Sequence, residues 1–179
     1  MSVAIVKTQG HTFTIRPTSV LTSPTAKVLD NKGATLETPT PVVDSVSTTV
    51  AASASNSASS FSVASATGIE RGKIYQVTDP TFGSAMAEVS SVDGVVVTLV
   101  EPLPTIPDAS SPFVGVEVTV AITSSSTGTL GMGNRVVLSK DGVEIVSVFN
   151  VVSTQIDCET VFVSPCNRIG VRFVRHVIM

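Results

Sequence analysis

Apolar and polar residues alternate with a period of two along most of this chain, the spacing that sends successive side chains to opposite faces of a strand. HTFTIRPTSVL (11–21) alternates in this way, and LDNKGATLETPTPVV (29–43) turns at Asn31-Lys32-Gly33 before running through prolines suited to edge strands and loops. SSFSVASA (59–66) predicts a strand, TGIERG (67–72) a loop bounded by Gly68 and Gly72, and KIYQVTD (73–79) the next strand. In that strand Ile74, Gln76 and Thr78 share one face, and Lys73, Tyr75, Val77 and Asp79 the other. MAEVSSVDGVVVTLVEPLP (86–104) reads as a hairpin with Asp93-Gly94 as its two-residue turn, and RVVLSKDGVEIVSVFNVVS (135–153) as a second one around Asp141-Gly142. Between them FVGVEVTVAIT (113–123) is one strong alternating strand.

Two stretches break the pattern. VSTTVAASASNSASS (46–60) consists of small polar residues that pack no core by themselves and reads as a linker or a weak strand edge. SSSTGTLGMGN (124–134) reads as a flexible glycine-rich loop. CETVFVSPCNRIGVRFVRHVIM (158–179) closes the chain with strand-like segments and at most a short helical turn. The expected fold is therefore all-β, a small β-barrel or β-sandwich with flexible loops and arms and little helix, since short strands with turns every ~8–12 residues mark that class. Three units are expected: an N-terminal β unit at 1–50, a barrel-like unit at 51–123 after the linker, and a C-terminal hairpin region at 124–179.

Composition sharpens this picture. The 179 residues are 42% hydrophobic but only 14% charged, against about 25% charged in an average soluble domain. Ser and Thr must cover the surface instead, which suits sheets and suits a chain flanked by copies of itself. The net charge is −3, and only RIGVRFVRHV (168–177) hints at a basic stripe, so sequence-specific nucleic-acid binding is not expected. No apolar run reaches the ~18 residues of a membrane span, and the N-terminus lacks the apolar core of a signal peptide. The expectation is synthesis in a cytoplasm, with no membrane partner. Cys158 and Cys166 are spaced too widely for a redox pair and lack a histidine cluster for zinc, so they are expected as reduced, half-buried thiols.

Candidate chemistry fails position by position. His11 and His176 stand near opposite ends of the chain, and no Gly-x-Ser-x-Gly is present. GTLGMG (128–133) lacks the Lys-Ser/Thr of a phosphate loop. Glu70, Asp79, Glu88 and Asp93 are the acids a glycosidase would have to pair, but with no Trp and one Tyr there is little to line a sugar cleft. Asp79 before Pro80, Asp93 and Asp141 are explained as turn formers. No catalytic residue, cofactor or metal site is expected, and the chain is read as a non-enzyme.

One resemblance adds to this reading. SSFSVASATGIERGKIYQVTDPTFGSAMAEVSSVDGVVVTLVEPLP (59–104) resembles a pattern of tailed-bacteriophage virion proteins. In it a strand ends in Ser-Ala-Thr-Gly, a Gly-bounded loop leads into a Tyr-containing strand, an acid precedes Val-x-x-Val, and a Gly turn leads to Thr-Leu-x-x-Pro-Leu. KDGVEIVSVFNVVS (140–153), with Phe149 in its Phe-x-Val-Val segment, is similar to a later hairpin of such proteins, whereas GMGNRVVLS (131–139) stands where they more often carry a Trp-bearing strand. The resemblance implies a structural subunit of the virion, of the head-to-tail connector or neck type, forming a homo-oligomeric ring that meets portal, adaptor, capsid or tail proteins. It implies that Gly68 and Gly72 shape a barrel loop and that Tyr75 is a core or interface anchor. Residues 47–60 and 124–134 are then expected to be arms that order on neighbouring subunits. A capsid-decoration or tail-tube subunit is the alternative within that class, and a carbohydrate-binding or adhesin module the alternative outside it.

Overall fold

A computed structural model describes residues 3–128 and 131–152. Among these residues there is no helix, and so none long and apolar enough to cross a membrane. The fold is all-β, built from fourteen strands: β1 (Val3–Val6), β2 (His11–Ile15), β3 (Thr25–Leu29), β4 (Thr35–Glu37), β5 (Val42–Val43), β6 (Ser47–Thr49), β7 (Ser60–Ser62), β8 (Ile74–Asp79), β9 (Gly83–Asp93), β10 (Val96–Leu99), β11 (Pro112–Gly115), β12 (Val118–Ile122), β13 (Gly131–Lys140) and β14 (Val143–Val152).

The middle of the chain forms a six-stranded sheet in the order β6-β11-β8-β9-β10-β7. It curls until its outer strands meet. Val50 bridges Val63, the Ala51 amide donates to Ser62 O at 2.8 Å, and the Ala64 amide donates to Thr49 O at 2.8 Å. This short seam curls the sheet into a partly closed, barrel-like unit, called the barrel below, and covers part of its two edges, which would otherwise present unpaired backbone groups. The interior is filled by Val50, Phe61, Val63, Ile69, Tyr75, Val77, Ala87, Val89, Val97, Leu99, Leu103 and Phe113. Of the face that alternation gives to Lys73, Tyr75, Val77 and Asp79, the last three are buried and Lys73 is half-buried.

The rest of the chain forms a sandwich. A five-stranded sheet, β1-β14-β13-β3-β4, and a three-stranded sheet, β2-β12-β5, share a second core. Phe13, Ile15, Val118, Val120 and Ile122 enter it from the smaller sheet; Ile5, Val28, Val136, Leu138, Phe149 and Val151 enter from the larger. The units drawn at 1–50 and 124–179 thus share one core in the described residues, because β1 runs parallel to β14 and β13 pairs with β3. Sequence periodicity marks many of the strands but not a partner so distant along the chain.

Three local expectations also shift. FVGVEVTVAIT is two strands, not one: β11 lies in the barrel and β12 in the sandwich, with Val116-Glu117 crossing between them. Of the two readings of the Ser-rich 46–60 stretch the strand edge holds and the linker does not: it carries β6, an outer strand of the six-stranded sheet, and is no loose arm. Its tip is tied down by Asn56, which donates to Ala51 O at 2.8 Å and accepts from the Ser62 amide at 2.9 Å. In the stretch read as a flexible loop at 124–134, Thr127 is fully buried and donates to Gln9 O at 2.7 Å, and Gly131 already belongs to β13. Backbone pairing and short side-chain hydrogen bonds hold the described residues of both segments, and neither depends on the apolar pattern.

Candidate functional site: the junction of barrel and sandwich

Among the described residues two backbone crossings join the units, Val43-Asp44 and Val116-Glu117, and the Asp44 amide donates to Glu117 O at 2.8 Å where they run side by side. Three of the four ion pairs among the described residues gather here. Arg16, just past β2, donates through Nε to Glu117 Oε1 at 2.9 Å and through Nη2 to Gly72 O, in the barrel, at 3.1 Å. Glu117 is nearly buried, while the Arg16 side chain is half exposed. Lys73 Nζ lies 3.8 Å from Asp44 Oδ2 and 3.4 Å from Glu70 Oε2. Partial burial works to lower the Lys73 pKa, but Asp44 and Glu70 together outweigh it and hold the amine above its ordinary value. Asp44 Oδ1 accepts from the Val46 amide at 2.9 Å, whereas its buried Oδ2 has no hydrogen-bond donor and relies on the Lys73 charge. Gly115 lies so close that a Cβ there would sit 2.5 Å from Asp44 Cγ.

A second polar knot lies on the barrel. Asp79, nearly buried at the end of β8, accepts from the Thr81 amide at 2.8 Å, the Asp108 amide at 2.6 Å and Ser111 Oγ at 2.7 Å. The Ser111 hydroxyl, with the Asp108 and Thr81 amides behind it, outweighs burial and holds the carboxyl below its usual range. The Thr81 bond closes the turn after β8, and the other two fasten the end of β8 to the 108–111 loop. A third knot joins Glu37 to Thr123 and Ser126, beside the buried Thr127.

The residues singled out from sequence fall into structural places. Gly68 and Gly72 have φ of +81° and +79°. Tyr75 is fully buried, stacked on Phe113 with ring centroids 4.6 Å apart, and its hydroxyl accepts from the Glu70 amide at 3.0 Å and donates to Gly68 O at 3.5 Å. Burial pushes that phenol above its ordinary pKa. Phe149 is fully buried in the sandwich, 5.5 Å from Phe13. Asp141-Gly142 is the two-residue turn expected, both with positive φ, as a type I′ turn requires. The other hairpin turn is shifted by one residue: Asp93 pairs with Val96, so Gly94-Val95 form the loop and Gly94 alone carries positive φ. His11 makes an edge contact with Phe13 at 4.8 Å. Cys158, Cys166 and His176 lie outside the described residues. Among the described residues no group of three or more His, Cys, Asp or Glu is placed to hold a metal ion.

Sequence reasoning missed Arg16, Asp44, Glu117 and the partners of Asp79. Arg16 and Glu117 stand 101 residues apart, and nothing local marks either one. The remaining feature is apolar. Val136 and Leu138 of β13 enter the sandwich core, so Val137 points to the opposite, outer face of the sheet, yet it too is buried. Val146, its partner on β14, is 47% exposed, and Val148 is 39% exposed on the same outer face. No protein-family model, curated protein or solved structure matches the chain.

Proposed function

We propose that this chain is a non-enzymatic structural subunit of a tailed-phage virion, of the ring-forming head-to-tail connector type. The observation that carries the proposal is the outer face of the five-stranded sheet. Both cores are already filled, yet Val146 and Val148 stand in solvent with Val137 packed beside them. A charge-poor surface with a surplus apolar strip fits a subunit whose copies cover one another. The polar clusters support the same reading, since Asp79 and Glu37 spend their carboxylates on fastening loops. The large aromatic side chains Tyr75, Phe61, Phe113 and Phe149 are buried, which leaves them unable to stack on sugars and disfavours the adhesin reading.

The test is the mass distribution of the purified full chain, followed by electron microscopy with and without portal and capsid preparations. Closed rings, or recruitment to a portal vertex, are expected. Val146→Asp combined with Val148→Asp is expected to dissolve the rings while leaving the circular-dichroism spectrum unchanged. A monomer that coats capsids would transfer the chain to the decoration class. A monomer that ignores both preparations would overturn the virion reading.

A further inference from the structure

The junction has the construction of a hinge with a latch. The two apolar clusters are separate, and no strand of the barrel makes more than marginal contact with a strand of the sandwich. Orientation therefore depends on two backbone crossings and on a few polar groups that reach from one unit to the other. Those groups are specific. Arg16, anchored on the nearly buried Glu117, donates to Gly72 O of the barrel loop; on the same side, Gln76 Oε1 of β8 accepts from the Val20 amide at 3.0 Å. The segment between β2 and β3 is thus pinned to the barrel wall at both Arg16 and Val20.

The two crossings run side by side and are paired to each other. Asp44 and Glu117 share one backbone hydrogen bond, and Gly115 leaves the space that the Asp44 carboxylate occupies. Asp44 Oδ2, buried without a hydrogen-bond donor and opposed by Lys73 at 3.8 Å, favours the closed arrangement by charge but does not lock it by geometry.

We infer that the paired crossings at 43–44 and 116–117 form a hinge, and that Arg16, braced by Glu117, is the latch that holds the barrel against the sandwich. Releasing Arg16 lets the barrel swing as a body without unfolding either unit. The inference rests on the junction geometry alone and stands or falls separately from the virion assignment.

Amide hydrogen exchange on the full chain tests it, because it reads local opening in any oligomeric state. In Arg16→Ala the Val20 amide is expected to exchange about tenfold faster, the loss anticipated for a hydrogen bond to a charged group and the contact it braces. The core amides of Val77 in the barrel and Val136 in the sandwich are expected to keep their wild-type protection. Arg16→Lys, which keeps the charge but loses the forked donor, should fall between the two. Gln76→Ala removes the acceptor directly and should release Val20 even if Arg16→Ala folds poorly. Unchanged exchange at Val20 in Arg16→Ala and Gln76→Ala would overturn the latch. Equal acceleration of Val77 and Val136 would overturn the hinge, since the loss would then be one of global stability.

Discussion

Tyr75 carries two different loads, and they can be separated. Its ring, stacked on Phe113, fills the barrel, while its hydroxyl takes the Glu70 amide and reaches Gly68 O, holding the 68–72 loop over the core. Tyr75→Phe keeps the first and removes the second. The expected loss is about 1 kcal/mol, the net worth of a buried hydrogen bond, read as a shift in the urea midpoint at constant slope. The glycines of that loop can be ranked in the same way. Gly68 and Gly72 both sit at positive φ, where an added Cβ costs about 1–2 kcal/mol. At Gly72 the Cβ would meet nothing within 4 Å, whereas at Gly68 it would press on Val46 Cγ2 at 2.9 Å. Gly68→Ala is therefore expected to destabilise more than Gly72→Ala, and equal urea midpoints would show that Val46 moves aside freely.

Strand β8 ends on a carboxylate whose lowered pKa predicts an acid sensitivity of the barrel. The folded-state pKa of Asp79 is depressed by its hydrogen bonds, so its contribution is fully present above the unfolded value and is lost as pH falls through the folded one. Urea midpoints are expected to decline as pH drops below about 4, the ordinary value of an aspartate. Asp79→Asn should be less stable at neutral pH and should show a flatter decline, while a wild-type decline unchanged by the substitution would place the acid sensitivity elsewhere. This scale also shows what was legible in the sequence. Alternation in KIYQVTD correctly puts Tyr75, Val77 and Asp79 on one face, which the structure buries, and Asp141-Gly142 correctly marks a hairpin, because both signals lie within a few residues. Asp93-Gly94 misleads by one position, because a loop with Gly first and a loop with Gly second differ only in register. The Ser-rich stretch is legible only as a candidate strand edge, because its order comes from pairing Ala51 with Ser62 and Ala64 with Thr49, contacts no composition encodes. Arg16, Asp44 and Glu117 become a site only once the sandwich has brought its two distant halves together.

At the scale of the molecule, the two units differ in how the chain builds them. All six barrel strands, β6 to β11, and the whole barrel core lie in one uninterrupted stretch, whereas the sandwich pairs β1 with β14 and must close around that insertion. The barrel can therefore form from its own residues. The sandwich has to bring together segments more than a hundred residues apart, at the cost of closing a long loop. Residues 44–116 expressed alone are expected to fold, with a modest stability of about 3–5 kcal/mol for so small a single core. The measurement is cooperative urea unfolding of the fragment, followed by the fluorescence of Tyr75, its only tyrosine. The complementary chain, with that stretch replaced by a short Gly/Ser turn, should retain the sandwich, because Asp44 N and Glu117 O already stand 2.8 Å apart. If the barrel fragment is unstructured while the full chain unfolds in one transition, the polar junction carries more stability than its few bonds suggest, and the two cores act as one cooperative unit.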